Sequence, residues 1–198
     1  MKTLLSCLGV LLLLISIANA SGDTLVKLTP EEEQKLVAIG DKAAKLVSQR
    51  LVKTISADIK AVGIAEAARG WSKSVGIIND TADSFNLGMK IRRPTFQYRN
   101  PINKPDAIDQ VALNFFQAPE SSDAKYFARK VMGENNIRYI YYKPMYVNKK
   151  CLLCHSQNMA EDVKAVIKEK YPNDLSGDLR LGAFRAAIRV ELPASALK

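Results

Sequence analysis

The stretch Cys151-Leu152-Leu153-Cys154-His155 constrains this chain more than any other. Two thiols and an imidazole spaced C-x-x-C-H form the attachment pattern of a c-type haem. The sulfurs add to the porphyrin vinyl groups and the adjoining histidine binds the iron. Two intervening residues make about one helical turn, so both sulfurs face one ring edge and the imidazole comes up beneath the metal. Competing readings are weaker. A thioredoxin-like pair would open a helix after a strand, whereas Val147-Asn148-Lys149-Lys150 is polar and basic. A structural zinc site needs four ligands, and His155 is the single histidine. A short disulfide between Cys151 and Cys154 stays open.

The N-terminus bears on that choice. Lys2, the apolar run Leu8 to Ile17, and Ala18-Asn19-Ala20 before Ser21 have the order of a secretory leader, so residues 1–20 are expected to be a signal peptide. Residues 21–198 are then a single c-type haem-binding domain, located in the periplasm or otherwise exported. Beyond the leader, no stretch approaches the roughly eighteen apolar residues of a membrane span. Of three cysteines, Cys7 falls in the leader and the other two lie inside C-x-x-C-H. With no disulfide framework available, the fold must hold by packing and by the haem, and 47% apolar content allows a sizeable core.

The formal net charge is +9. In an exported protein nucleic acid is not an expected partner. The excess suits haem propionates, a redox partner protein with an acidic face, or peripheral association with an anionic membrane; equally, it can serve solubility alone.

Thr29-Pro30-Glu31-Glu32 reads as a helix start, and Leu36, Ile39, Ala43, Leu46, Val47 and Leu51 give it one apolar stripe. A second helix is expected from Ile59 to Ile78, weakened by Gly63, Gly70 and Gly76 and burying Trp71 as core. Phe96 and Tyr98 alternate as in a strand, followed by a turn-rich loop, Arg99 to Pro105. Asp106 opens a helix to about Gln117, with Ile108, Val111, Ala112, Phe115 and Phe116 inward. Lys125–Met132 and Ile137–Val147 form a hairpin, Glu161–Lys170 a helix, and Leu179–Leu192 a last strand whose change of phase implies a bulge near Ala183-Phe184. Strands and helices without regular alternation predict an α+β domain with an antiparallel sheet. Arg92, Arg93 and Arg99 are candidate propionate anchors, because guanidinium forks match carboxylates.

Several motifs occur together in order: Lys90-Ile91-Arg92-Arg93, Arg99-Asn100-Pro101-Ile102-Asn103-Lys104-Pro105, Lys143-Pro144-Met145, Cys151-Leu152-Leu153-Cys154-His155 and Tyr171-Pro172-Asn173-Asp174. In this the chain resembles a family of c-haem domains of formerly unknown function. Its members occur as small exported proteins, including photosystem-associated monohaem cytochromes of cyanobacteria, and as sensor modules on kinases and chemoreceptors. The resemblance implies a PAS-like antiparallel sheet with long N-terminal helices and one covalently bound haem, Cys151 and Cys154 attached to the ring and His155 on the iron. It does not extend to the distal ligand. Some members carry a cysteine near the positions of Ile77 to Asn79, and this chain has none there; Pro94 and Thr95 also stand where a serine often follows the basic pair.

The sixth iron position is therefore open between Met89, Met145 and no protein ligand. A methionine would raise the potential and suit electron transfer, whereas an exchangeable site would suit gas binding. The expected function is an exported monohaem cytochrome in electron transfer; the alternative is haem-based sensing of redox state or a diatomic gas. A peroxidase-like enzyme would need a spare distal acid-base group, usually histidine, so no enzymatic activity is expected. Redox potential, partner identity and oligomeric state are not legible.

Overall fold

A computed structural model describes residues 22–134 and 136–198; the expected signal peptide lies outside them. Helix α1, Pro30–Arg69, starts where the capping pattern placed it. Thr29 Oγ1 accepts from the Glu32 N–H at 3.2 Å while Glu32 Oε2 accepts from the Thr29 N–H at 3.0 Å, with Pro30 in the first turn. Such a cap is worth about 1 kcal/mol. The helix does not stop near Leu51 but runs on to Gly63, where φ is 81° and ψ 172°. Only glycine adopts that geometry cheaply, so the axis kinks there. After Arg69 the chain makes one 3₁₀ turn, Gly70–Lys73, and enters α2, Ser74–Asp83. The second helix of the sequence reading is thus split between the end of α1 and α2.

Among the described residues five strands form one antiparallel sheet: β1 Thr24–Val26, β2 Lys90–Arg92, β3 Phe127–Met132, β4 Ile137–Tyr146 and β5 Phe184–Pro193, in the order β1-β3-β4-β5-β2. The expected β3–β4 hairpin is present. Two strand expectations are corrected. Phe96 lies in a bend and Tyr98 in irregular chain, since the Thr95 N–H bonds Asn103 O across the Pro101–Asn103 turn and Pro94 and Pro101 break the ladder on either side. Residues 179–183 form a loop, because their amides are used elsewhere: Leu179 N–H reaches His155 O at 2.8 Å and Gly182 N–H reaches Val147 O at 2.9 Å.

Both faces of the sheet are covered, which is why β4 reads as a nearly continuous apolar run. Tyr139 and Tyr141 alternate toward α1, packing with Leu36, Ala43 and Val47, while Ile140 and Tyr142 face α3, Ala107–Gln117, packing with Ile108, Ala112 and Leu113. Gly40 is required at the first contact, since a Cβ there would overlap the Tyr141 ring. On the second face Tyr142 Oη donates to Asp109 Oδ1 at 2.8 Å, and Asp109 also accepts from Arg189 at 3.1 Å, so this fully buried carboxylate is paired. A smaller cluster joins Ala68 of α1 to Val163 and Ile167 of α5, Glu161–Lys170, with Cys154 against it. That cluster seats the C-x-x-C-H turn on the helical layer.

Candidate functional site

The motif is a short turn, with α4 spanning Leu152–His155. Its start is set by Asn148, whose side-chain oxygen accepts from the Lys150 N–H at 2.9 Å and the Cys151 N–H at 3.3 Å. The turn closes through Cys154 N–H to Cys151 O at 3.3 Å. Both cysteines are free thiols and half-buried; burial raises the Cys154 thiol above its ordinary range, partly offset by Arg99 and Arg185.

His155 is more tightly specified. Its Nδ1 lies 3.0 Å from the Ser176 carbonyl and 2.6 Å from Ser176 Oγ. A carbonyl can only accept, so Nδ1 carries the proton and Nε2 presents its lone pair to the opposite side. Metal-binding histidines are held in this way, by a partner on the far nitrogen that fixes tautomer and ring plane. Burial, followed by the charges of Arg185 and Arg99, pushes the imidazole well below its usual pKa, which keeps it neutral as a ligand must be. At Nε2 stands Arg185, whose Nη2 donates at 2.8 Å. That guanidinium is a cation at the position a metal would take.

Nε2 opens on a cleft holding about 740 Å³ of space including its mouth. Its enclosed part is only about 80 Å³, below the roughly 300–1,000 Å³ of small-molecule and cofactor sites, so a porphyrin would have to displace side chains that now close it. Its lining includes Trp71, Val75 and Ile78 from the 3₁₀ turn and α2, Met145, Arg185 and Ala186 from β4 and β5, and Arg93, Arg99 and Tyr171. Trp71, read from the sequence as core, both packs on the α1 core and lines the cleft. No carboxylate is among the lining residues, whereas three guanidinium groups are.

The predicted arginines divide. Arg93 lines the cleft with its Nε buried and unpaired, and burial plus the nearby Arg185 charge lower its pKa to about 10. Arg99 acts as a clamp: Nη2 donates to Cys154 O at 2.6 Å and to Asp174 Oδ2 at 2.9 Å, leaving a buried, unpaired Nε. Arg92 is not brought to the cleft. It bonds Lys104 O at 2.7 Å and pairs with Asp106 at 3.4 Å and Asp109 at 3.2 Å. The methionines divide as well. Met145 lines the cleft, while Met89 is buried among the residues packed under α1.

These residues fit a flat tetrapyrrole bearing two carboxylates. A neutral imidazole lines the cleft, two free thiols stand on the turn that carries it, apolar side chains such as Trp71, Val75 and Ile78 share the lining, and buried guanidinium nitrogens lack acceptors. Among the described residues no group of three or more His, Cys, Asp and Glu side chains could hold a metal unaided. Sequence reasoning missed Ser176 and Arg185. Ser176 carried no signal. Arg185 lay beside the break of alternation that announced a bulge: the register slips between Met145 and Tyr146, opposite Phe184 and Ala186, which puts the extra residue at Arg185.

The sequence model of the Tll0287-like family matches residues 28–193. Among solved structures the fold is similar to the crystal structure of the cyanobacterial haem protein Tll0287, at a TM-score of 0.55 and 23% identity over 84% of this chain and 98% of that one. No curated protein matches the chain. Among the described residues no helix is long and apolar enough to cross a membrane.

Proposed function

This chain belongs to the Tll0287-like family, and on that premise we propose that it is an exported monohaem c-type cytochrome that transfers electrons. Cys151 and Cys154 would hold the haem by thioether bonds, His155 Nε2 would bind the iron, and Arg93 would meet a propionate. When bound, the group supplies reversible one-electron exchange. The observation that carries the reading is the fixed imidazole: Ser176 holds Nδ1, so the ring has a defined tautomer with Nε2 left for the cleft, directly after a turn that carries two free thiols. Trp71, Val75 and Ile78 exclude water from one side, which favours a site of low reorganisation over open chemistry.

Met145 lines the same cleft as His155 and would offer the iron a thioether, which supports the carrier reading. The test is the absorption spectrum of the reduced, haem-loaded protein with and without carbon monoxide. A methionine-capped carrier keeps its bands, Met145→Ala makes them respond, and Met89→Ala leaves them as they are. A prompt shift in the unaltered protein contradicts electron transfer through a capped iron and favours gas sensing.

A further inference from the structure

β4 and β5 pair regularly until Met145 faces Ala186 and Tyr146 faces Phe184, which leaves Arg185 without a partner across the ladder. A bulge of this kind re-aims a side chain toward a neighbouring site. The bulge is pinned by Thr95 Oγ1, which donates to the Arg185 carbonyl at 2.6 Å. From that fixed base the guanidinium reaches His155 Nε2. Nε2 has one lone pair, so Arg185 must release it whenever it ligates a metal.

A released guanidinium would remain in a cleft whose lining offers no carboxylate, beside Arg93, which among the described residues has no hydrogen-bond or ion-pair partner either. Keeping two desolvated cations side by side is unfavourable unless an anion joins them. Burial, and after it the Arg185 charge, already pushes the Arg93 pKa down. Arg99 is occupied by Asp174 and the Cys154 carbonyl, and Arg92 by Asp106 and Asp109. The unsatisfied cations of the cleft are therefore Arg93 and Arg185.

We propose that Arg185, together with Arg93, binds the haem propionates, and that Arg185 exchanges its hydrogen bond to His155 Nε2 for one to a propionate as the iron takes that nitrogen. This inference rests on the haem reading above. It assigns to Arg185 a binding role and to Arg99 and Arg92 structural ones.

The test uses the full chain made without covalent haem, titrated with ferric protoporphyrin IX and, separately, with its dimethyl ester, which lacks the carboxylates. The unaltered protein is expected to prefer the free acid. Arg185→Gln should weaken free-acid binding by about ten- to a hundredfold, the range of one charge-assisted hydrogen bond. It should leave ester binding unchanged or tighter, since a competitor for Nε2 has been weakened. Arg185→Lys should recover part of the free-acid preference, and Arg93→Gln should act in the same direction as Arg185→Gln, whereas Arg92→Gln should leave the preference intact. Equal losses for acid and ester in Arg185→Gln and Arg185→Lys, or no loss in either, would overturn the assignment of Arg185. If the unaltered chain binds neither porphyrin, the haem reading fails and this inference with it.

Discussion

Removing the carboxylate of Asp174 should loosen the turn that carries the motif, and by a calculable amount. Arg99 and Asp174 meet at 2.9 Å with each side chain 13% exposed, and the same Arg99 nitrogen holds the Cys154 carbonyl at 2.6 Å. Taking one partner from a buried pair costs about 3–5 kcal/mol, mostly through the charge left bare. The residual exposure and the surviving Cys154 bond reduce this to about 2–3 kcal/mol for Asp174→Asn. The asparagine keeps an oxygen for the Ser176 N–H, which Asp174 Oδ1 accepts at 2.9 Å, but turns an NH₂ toward Arg99 where Oδ2 accepted, so the charge and the acceptor for Arg99 are lost together. In a domain of this size that loss lowers the melting midpoint by about 4–12 °C. Arg99→Met with Asp174→Asn leaves no bare cation, and the double variant should cost less than the sum of the singles by about 1–3 kcal/mol. Urea unfolding of the four proteins followed by circular dichroism supplies the cycle. Singles that add to within about 0.5 kcal/mol of the double would refute the clamp.

Two further predictions concern the scaffold. The Lys130 ammonium, then the Thr29 N–H and the Tyr139 hydroxyl, hold the Glu32 carboxyl at about 2, below its ordinary 4.5. A depressed carboxyl pKa stabilises the fold above the unfolded value, so this contribution is present above about pH 4.5 and lost as the pH falls toward 2. Glu32→Gln should flatten the acid limb of a stability-against-pH curve over that window; an unchanged limb would count against the ion pair. Gly40→Ala would ordinarily gain up to about 1 kcal/mol in a helix interior. Here the added methyl meets the Tyr141 ring, whose hydroxyl is tied to Asp41, and overpacking costs about 1–3 kcal/mol or more. Thermal melts should show a net loss, and a stabilised variant would contradict the packing described.

What the sequence made legible follows from the range of the interactions involved. The starts of α1 and α3 were readable because a capping box is local: Thr29 with Glu32, Asp106 with Asp109. The β3–β4 hairpin was readable because its turn joins neighbours in the chain. The run from Phe96 and the residues 179–183 misled: their alternation was real, but the Thr95 N–H just before the first bonds Asn103, and the Leu179 and Gly182 N–H groups of the second bond His155 and Val147, in place of a strand. On α3, Leu113 is fully buried where Val111 and Phe115 are half-buried, a rotation that periodicity does not resolve. At the site, Arg93, Arg99 and Met145 were identifiable by type, but only the fold separates the unpaired Arg93 from Arg92, which Asp109 claims. The motifs Arg99-Asn100-Pro101, C-x-x-C-H and Tyr171-Pro172-Asn173-Asp174 looked like separate marks along the chain. They meet in one set of contacts, with Arg99 joining Cys154 to Asp174, and Ser176, two residues on from Asp174, holding His155.

The central claim is that a haem is bonded covalently to Cys151 and Cys154. The most direct measurement is the intact mass and visible colour of the chain, purified from a host that matures c-type cytochromes, before and after denaturation and extraction with acidified organic solvent. The account predicts that one haem mass and its colour stay with the polypeptide, and that Cys151→Ala with Cys154→Ala releases both into the solvent. Pigment that leaves the unaltered chain, or a chain that never acquires any, would contradict it.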